Sequence, residues 1–257
     1  MENKNIVPGK IVKAAQLTRN EVTDKDLELI NKYTLRDLTA DEVFTFKVRM
    51  ADNSLDDRNN QPFSKNALIQ LKDLYIGRTV GRDHSCKSDD QCARVYDTDL
   101  VESDKNNGVN GEKVYDLVAK CYTVKTDNNK ALISEIEAGI KREVSTSCSC
   151  KSVICSICGT DNVKDYCRHW AGREYDTDNG KKKCLMVLDS IKEAYELSFV
   201  SVPAQPQAGT YKAYGDTVLE YTPESTEEDK AKQLETKVRT AIAIAEKTIN
   251  MHEMEEN

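Results

Sequence analysis

Residues 139–158 read GIKREVSTSCSCKSVICSIC, and the way this stretch divides decides the fold. Gly139 closes a short helix, because a glycine just past the last apolar helical position accepts the left-handed turn that ends a helix. Ile140 to Cys148 then alternates apolar and polar residues, the period-two pattern of a strand, and carries Ser145 within it. Cys155 and Cys158 open a second pattern. A CxxC turn reverses the chain tightly enough to aim two thiolates at one ion.

The cysteine pattern continues as Cys155-x2-Cys158-x8-Cys167-x-His169, with Cys184 beyond it. A Gly-rich stretch from Gly172 to Gly180 supplies a hairpin that brings a second ligand pair to the first. Spacing alone points to a structural Zn2+ held by four of the five candidates Cys155, Cys158, Cys167, His169 and Cys184. Redox chemistry or plain buried thiols are the competing readings. A closed four-ligand site leaves no position for water and is structural rather than catalytic. Metal binding on the order of 10 kcal/mol would order an insertion that has almost no apolar core.

Composition bounds the rest. The chain has 257 residues, 39% hydrophobic and 32% charged, with a formal charge of −7. That balance suits a globular protein and opposes a role in coating phosphate backbones. No apolar run approaches the ~20 residues needed to span a bilayer, so no membrane partner is expected. MENKNIVPGK lacks the apolar centre of a signal peptide, which leads us to expect no export. Nine cysteines in such a chain argue for reduced thiols or metal rather than a disulfide framework. Cys86, Cys92 and Cys121 stand apart and read as small buried hydrophobes.

Taken in order, residues 1–41 are polar and read as an N-terminal arm or loosely docked leader, with Thr39 and Glu42 spaced as a capping box. VFTFKVRM from Val43 alternates as a strand and breaks at ADNSLDDRNNQP, a turn-rich loop. Ser64 caps a helix that buries Leu68, Leu71 and Leu74 and stops at Gly77. ARVYDTDLVE and Val114–Val124 are strands. Asp127 or Asn128 caps a helix with Leu132, Ile133 and Ile136 on its buried face. CLMVL and AYELSFVSVPA read as two further strands, the second ended by Pro203. The expected fold is therefore α+β, a small β-barrel-like core in residues 42–215 with flanking helices and a zinc-stapled insertion at 150–186. Residues 216–257 form a linker and an amphipathic C-terminal helix. Its seam of Ala231, Leu234, Val238, Ala241 and Ala245 suits either docking on its own domain or a coiled-coil contact, and so a homo-oligomer.

A serine hydroxyl becomes a nucleophile when a base takes its proton, and histidine has the basicity for that near neutrality. The histidines are His84, His169 and His252. His169 belongs to the cysteine cluster and His252 to the acidic tail, which leaves His84, in GRDHS. Composition and spacing go no further than this.

Three ordered pieces resemble the prohead (capsid maturation) serine proteases of tailed phages, which share the herpesvirus assemblin-type fold. They are the histidine segment GRTVGRDHS with the strand ARVYD, the helix–glycine–strand–serine run EIEAGIKREVSTSC, and the Val-Pro-Ala strand AYELSFVSVPAQPQAG. The resemblance covers about residues 42–212. It is nearest a divergent phage subgroup with ADNSLDDR-like loops and a CSICG insertion. It implies a serine endopeptidase with Ser145 as nucleophile and His84 as base, acting on scaffold and major capsid proteins and on itself. The setting it implies is the host cytoplasm, inside the assembling procapsid. Such proteases show glycine two residues after the serine, where this chain has Ser147; the six-residue distance from Gly139 selects Ser145. The third catalytic member stays open between Asp116 and Asp97. A catalytically inactive core or scaffold protein of the head, or a zinc-finger nucleic-acid-binding protein, is the alternative.

Overall fold

A computed structural model describes residues 22–210 and the short strand pair 213–214 and 217–218. The chain divides after Leu219. Residues 1–21, the C-terminal helix and the rest of the expected linker lie outside the described residues.

Seven strands form one curled sheet: β1 (Val43–Asp52), β2 (Thr79–Arg82), β3 (Ala93–Glu102), β4 (Tyr115–Val124), β5 (Val144–Cys155), β8 (Met186–Phe199) and β9 (Gly209–Thr210). Their order across the sheet is β5-β8-β2-β3-β4-β1-β9. All neighbours are antiparallel except β2 and β8, which run parallel with Gly81 opposite Ser198 and Arg82 opposite Phe199. Between β5 and β8 a separate hairpin forms from β6 (Glu174–Thr177) and β7 (Gly180–Lys183). The α+β, barrel-like core expected from the alternating segments is what forms.

The two ends of the sheet meet. Gly209 pairs with Arg49 of β1 and also bridges to Glu143, while Thr210 N–H donates to Arg142 O at 2.7 Å. A Cβ on Gly209 would lie 2.9 Å from Arg142 O, so the closure requires glycine there.

The interior is filled from the inward positions of these strands: Phe46, Val48, Val80, Val95, Leu117, Leu197 and Phe199 are buried together. Helix α2 (Lys65–Leu74) adds Leu68 and Leu71, and Tyr75 follows at its C-cap, all three fully buried. Each such Leu contributes on the order of 2 kcal/mol. Ser64 caps α2 as expected, its Oγ accepting from Ala67 N–H at 3.0 Å. Helix α3 (Lys130–Glu137) is preceded by Asn129, not Asp127 or Asn128, and buries Leu132 and Ile136 before Gly139 turns left-handed at φ 75°.

Three further expectations are corrected. Within the described residues the N-terminal arm is packed rather than loose: α1 (Asp24–Asn31) buries Ile30 against Leu38, Val43, Tyr96 and Tyr122. Thr39 donates its backbone N–H and its hydroxyl to the Glu42 carboxylate, but Glu42 N–H goes to Thr39 O and not to the hydroxyl, so the pair closes a turn and no helix follows. CLMVL and AYELSFV are one strand, β8, because β5 runs on through Cys155 and partners its whole length. That ladder slips register four times between Ser147 and Val153. The slips fall where β5 is serine-rich, and across them Cys148 still stands opposite the buried Ala194 and Cys150 opposite the buried Ile191.

Candidate active site

β2 ends at Arg82, and the next two residues turn sharply. Asp83 and His84 both adopt positive φ, 52° and 54°. Neither is glycine, so each costs on the order of 1–2 kcal/mol, and such strain persists only where neighbours hold it. Here Asp83 N–H donates to Phe199 O at 2.9 Å and His84 N–H donates to Ser198 Oγ at 3.1 Å. The turn aims the ring of His84 at β8, where its Nδ1 lies 2.6 Å from Glu196 Oε1. The imidazole is 43% exposed and the carboxylate 15%, so one edge of the ring still faces solvent.

Ser145 arrives from the other side of β8. In the β5–β8 ladder Ser145 stands opposite Ser198 and Ser147 opposite Glu196, while Val144 and Thr146 face Phe199 and Leu197. Directly opposed residues share a face. The core-facing parity is that of Val144, Leu197 and Phe199, so Ser145, Ser147, Glu196 and Ser198 occupy the outward face. The buried Tyr75 hydroxyl reaches both Ser147 O (2.9 Å) and Glu196 O (3.2 Å), which ties the two strands together behind this face.

His84 and Ser145 line one cleft of about 340 Å³. Residues 144–148 form one wall. Met50, Phe63 and Leu188 supply apolar surface, and Asp57, Asn59 and Gln61 a polar rim. The loop after β8 closes the far side with Ala204, Gln205 and Ala208. Gln205 fixes that loop: its Oε1 accepts from Asp52 N–H and its Nε2 donates to Asp52 O, both at 2.8 Å, so a side chain imitates one rung of a ladder. Ser147 lines the same cleft, so geometry keeps both serines within it.

Neither aspartate left open as third member faces His84. Asp116 pairs with Arg49 at 3.1 Å, both nearly buried, and Asp97 pairs with Lys120 at 2.9 Å. The carboxylate that does meet the His84 ring is that of Glu196. Its signal was present in the sequence: in AYELSFV it is the one acid inside an apolar strand, on the parity opposite to Leu197 and Phe199.

At the far end of the same two strands the cysteines gather. One ligand atom from each of Cys155, Cys158, Cys167 and His169 lies within 4.8 Å of the others. Cys155 and Cys167 are buried, Cys158 is exposed and His169 is half-buried. His169 Nδ1 is buried with no hydrogen-bond partner, and the ring packs edge-on to Tyr175 at 4.6 Å. Burial pushes the Cys155 thiol up to about 12, while hydrogen bonds from Thr160 lower Cys158 to about 6. Three sulfurs and an imidazole in this arrangement match a tetrahedral soft-metal site. Cys184 is the fifth candidate; its sulfur lies 3.9 Å from that of Cys155 but outside the group of four. The lysines of β7 meet acids across the hairpin, Lys183 opposite Glu174 and Lys181 opposite Asp176, which neutralises the basic stretch.

No helix among the described residues is long and apolar enough to cross a membrane. Comparison of the chain with protein-family models, with curated proteins and with solved structures finds no match.

Proposed function

We propose that the chain is a serine endopeptidase with Ser145 as nucleophile, His84 as general base and Glu196 as the acid that orients it. The observation that carries this reading is that His84 and Ser145 line the walls of one cleft, with Nδ1 of the imidazole against a carboxylate. With Nδ1–H donating to Glu196, the Nε2 lone pair is the one left to take the Ser145 proton. Ser145 Oγ then attacks a peptide carbonyl, the imidazolium returns the proton to the leaving amine, and water releases the acyl group by the same relay.

The metal reading is Zn2+ at Cys155, Cys158, Cys167 and His169, closed to water and therefore structural; bound there, it would supply cross-linking and no chemistry. The resemblance to prohead proteases supplies the biology of the proposal: cleavage of scaffold and major capsid proteins, and of the chain itself, inside an assembling phage procapsid. Ser147 in the place of the family's glycine favours one second reading, an inactive core protein of the same fold.

The test is acylation of the full-length protein by a fluorophosphonate probe, read by mass spectrometry. Labelling at Ser145 that Ser145→Ala abolishes and Ser147→Ala preserves supports the endopeptidase. The reverse result moves the nucleophile to Ser147. Absence of labelling, together with unprocessed head proteins on co-expression, supports the inactive core.

A further inference from the structure

Ser198 is fully buried, yet its hydroxyl is used twice, and both partners belong to the site. It accepts the backbone N–H of His84 at 3.1 Å, and it donates to Glu196 Oε2. Glu196 is thereby held by one oxygen, and the other, Oε1, is presented to His84 Nδ1. β2 makes room for this. Gly81 stands beside Ser198 in the parallel pairing, and a Cβ there would come within 3.3 Å of the Ser198 hydroxyl.

We propose that Ser198 is a positioning residue of the catalytic site, its single hydroxyl fixing the strained backbone of His84 and the rotation of the Glu196 carboxylate together. The proposal rests on the endopeptidase reading. Its physical basis is that both partners need outside support. His84 sits at φ 54° behind another left-handed residue, a conformation that relaxes unless held. A glutamate carboxylate rotates broadly about its last torsion unless one oxygen is engaged. One hydroxyl in contact with both converts two independent freedoms into one geometry. A merely satisfied buried serine would need only one of these bonds.

The experiment uses the full-length protein and Ser198→Ala, which removes only the hydroxyl from a closed site. Acylation of Ser145 by the fluorophosphonate probe is expected to slow by roughly 10- to 100-fold, since small misplacements of reacting groups cost that much. The loss is expected in kcat with KM unchanged for any peptide substrate found. In a Glu196→Ala background the same substitution is expected to add little, because the two residues act as one unit. Equal slowing in both backgrounds, or no slowing in either, overturns the proposal.

A second readout needs no catalysis. The His84 Nδ1 proton, bonded to a carboxylate, is expected as a downfield proton NMR resonance that Glu196→Ala abolishes and Ser198→Ala shifts. An unshifted resonance in folded Ser198→Ala overturns the role of Ser198 even if the probe never labels Ser145. Should Ser198→Ala not fold, the wild-type protein decides: the His84 amide is expected to exchange with solvent far more slowly than that of Cys86, and equal exchange overturns the proposal.

Discussion

His84 and Glu196 are separated by 112 positions of chain, yet Nδ1 of one lies 2.6 Å from Oε1 of the other. The contact exists because β2 and β8 run parallel, so the residues just past the end of β2 fold back along β8. An amide at position 196 would offer a donor to Nδ1 and favour the wrong tautomer. Glu196→Gln is therefore expected to slow acylation of Ser145 by about 10³- to 10⁴-fold while leaving thermal stability nearly unchanged. Wild-type rates in the variant would remove Glu196 from the mechanism.

Asp116 provides the contrast. Its carboxylate meets Arg49 in a site where both side chains are about nine-tenths buried. Asp116→Asn is expected to lower unfolding free energy by roughly 3 kcal/mol, because a buried guanidinium loses the carboxylate charge held 3.1 Å from it. Urea denaturation measures this. Labelling of Ser145 per folded molecule should be unchanged, which separates a structural aspartate from a catalytic one.

Protein purified without chelator is expected to carry one zinc per chain, read by elemental analysis; less than half an equivalent counts against the site. Cys167→Ser should lose the metal and Cys184→Ser should keep it, since Cys184 stands outside the group of four. Full loss in both variants would place the fifth sulfur among the ligands instead.

Asp161 holds the turn beside this cluster. Its carboxylate accepts from Val153 N–H at 3.0 Å, from Ser152 Oγ at 3.0 Å and from the Lys164 ammonium at 3.1 Å. The Val153 backbone bond leads these in lowering its pKa from 3.8 to about 2. A depressed carboxylate stabilises the folded state above its unfolded pKa and loses that contribution as pH falls through the folded value. Asp161→Asn should therefore melt below wild type at pH 6, with the gap closing between about pH 4 and 2. A gap that persists below that window would show that the charge is not what matters.

Much of this arrangement was legible in the residues. The strands around VFTFKVRM and ARVYDTDLVE and the helix after Ser64 follow from apolar period and capping, which are local. So was the CxxC turn, by spacing, and His84, as the histidine outside both the cysteine cluster and the acidic tail; Ser145 is picked out only by the resemblance to prohead proteases. Glu196 was missed because its partner is fixed by the parallel β2–β8 pairing, and nothing local in either strand announces that crossover. β8 was divided in two because its middle, with Asp189, Ser190, Lys192 and Glu193, is polar; continuous backbone pairing to an equally polar β5 overrides that composition. The packed α1 was underestimated for a similar reason, since Tyr96 and Tyr122, the aromatics that receive Ile30, come from distant strands.

The closing seam of the barrel is two residues long, and its register says why. Continued backwards from the bridge between Gly209 and Glu143, the next partners would set Gln207 beside Ser145 and Pro206 beside Thr146. Ala208 N–H turns back to Gln205 O at 3.1 Å, and Pro206 inside that turn has no N–H to give, so the zipper stops there. The mouth in which Ser145 stands is thus the gap left where two edges decline to join, and one tight turn with an imino acid inside it keeps that door from being sewn shut.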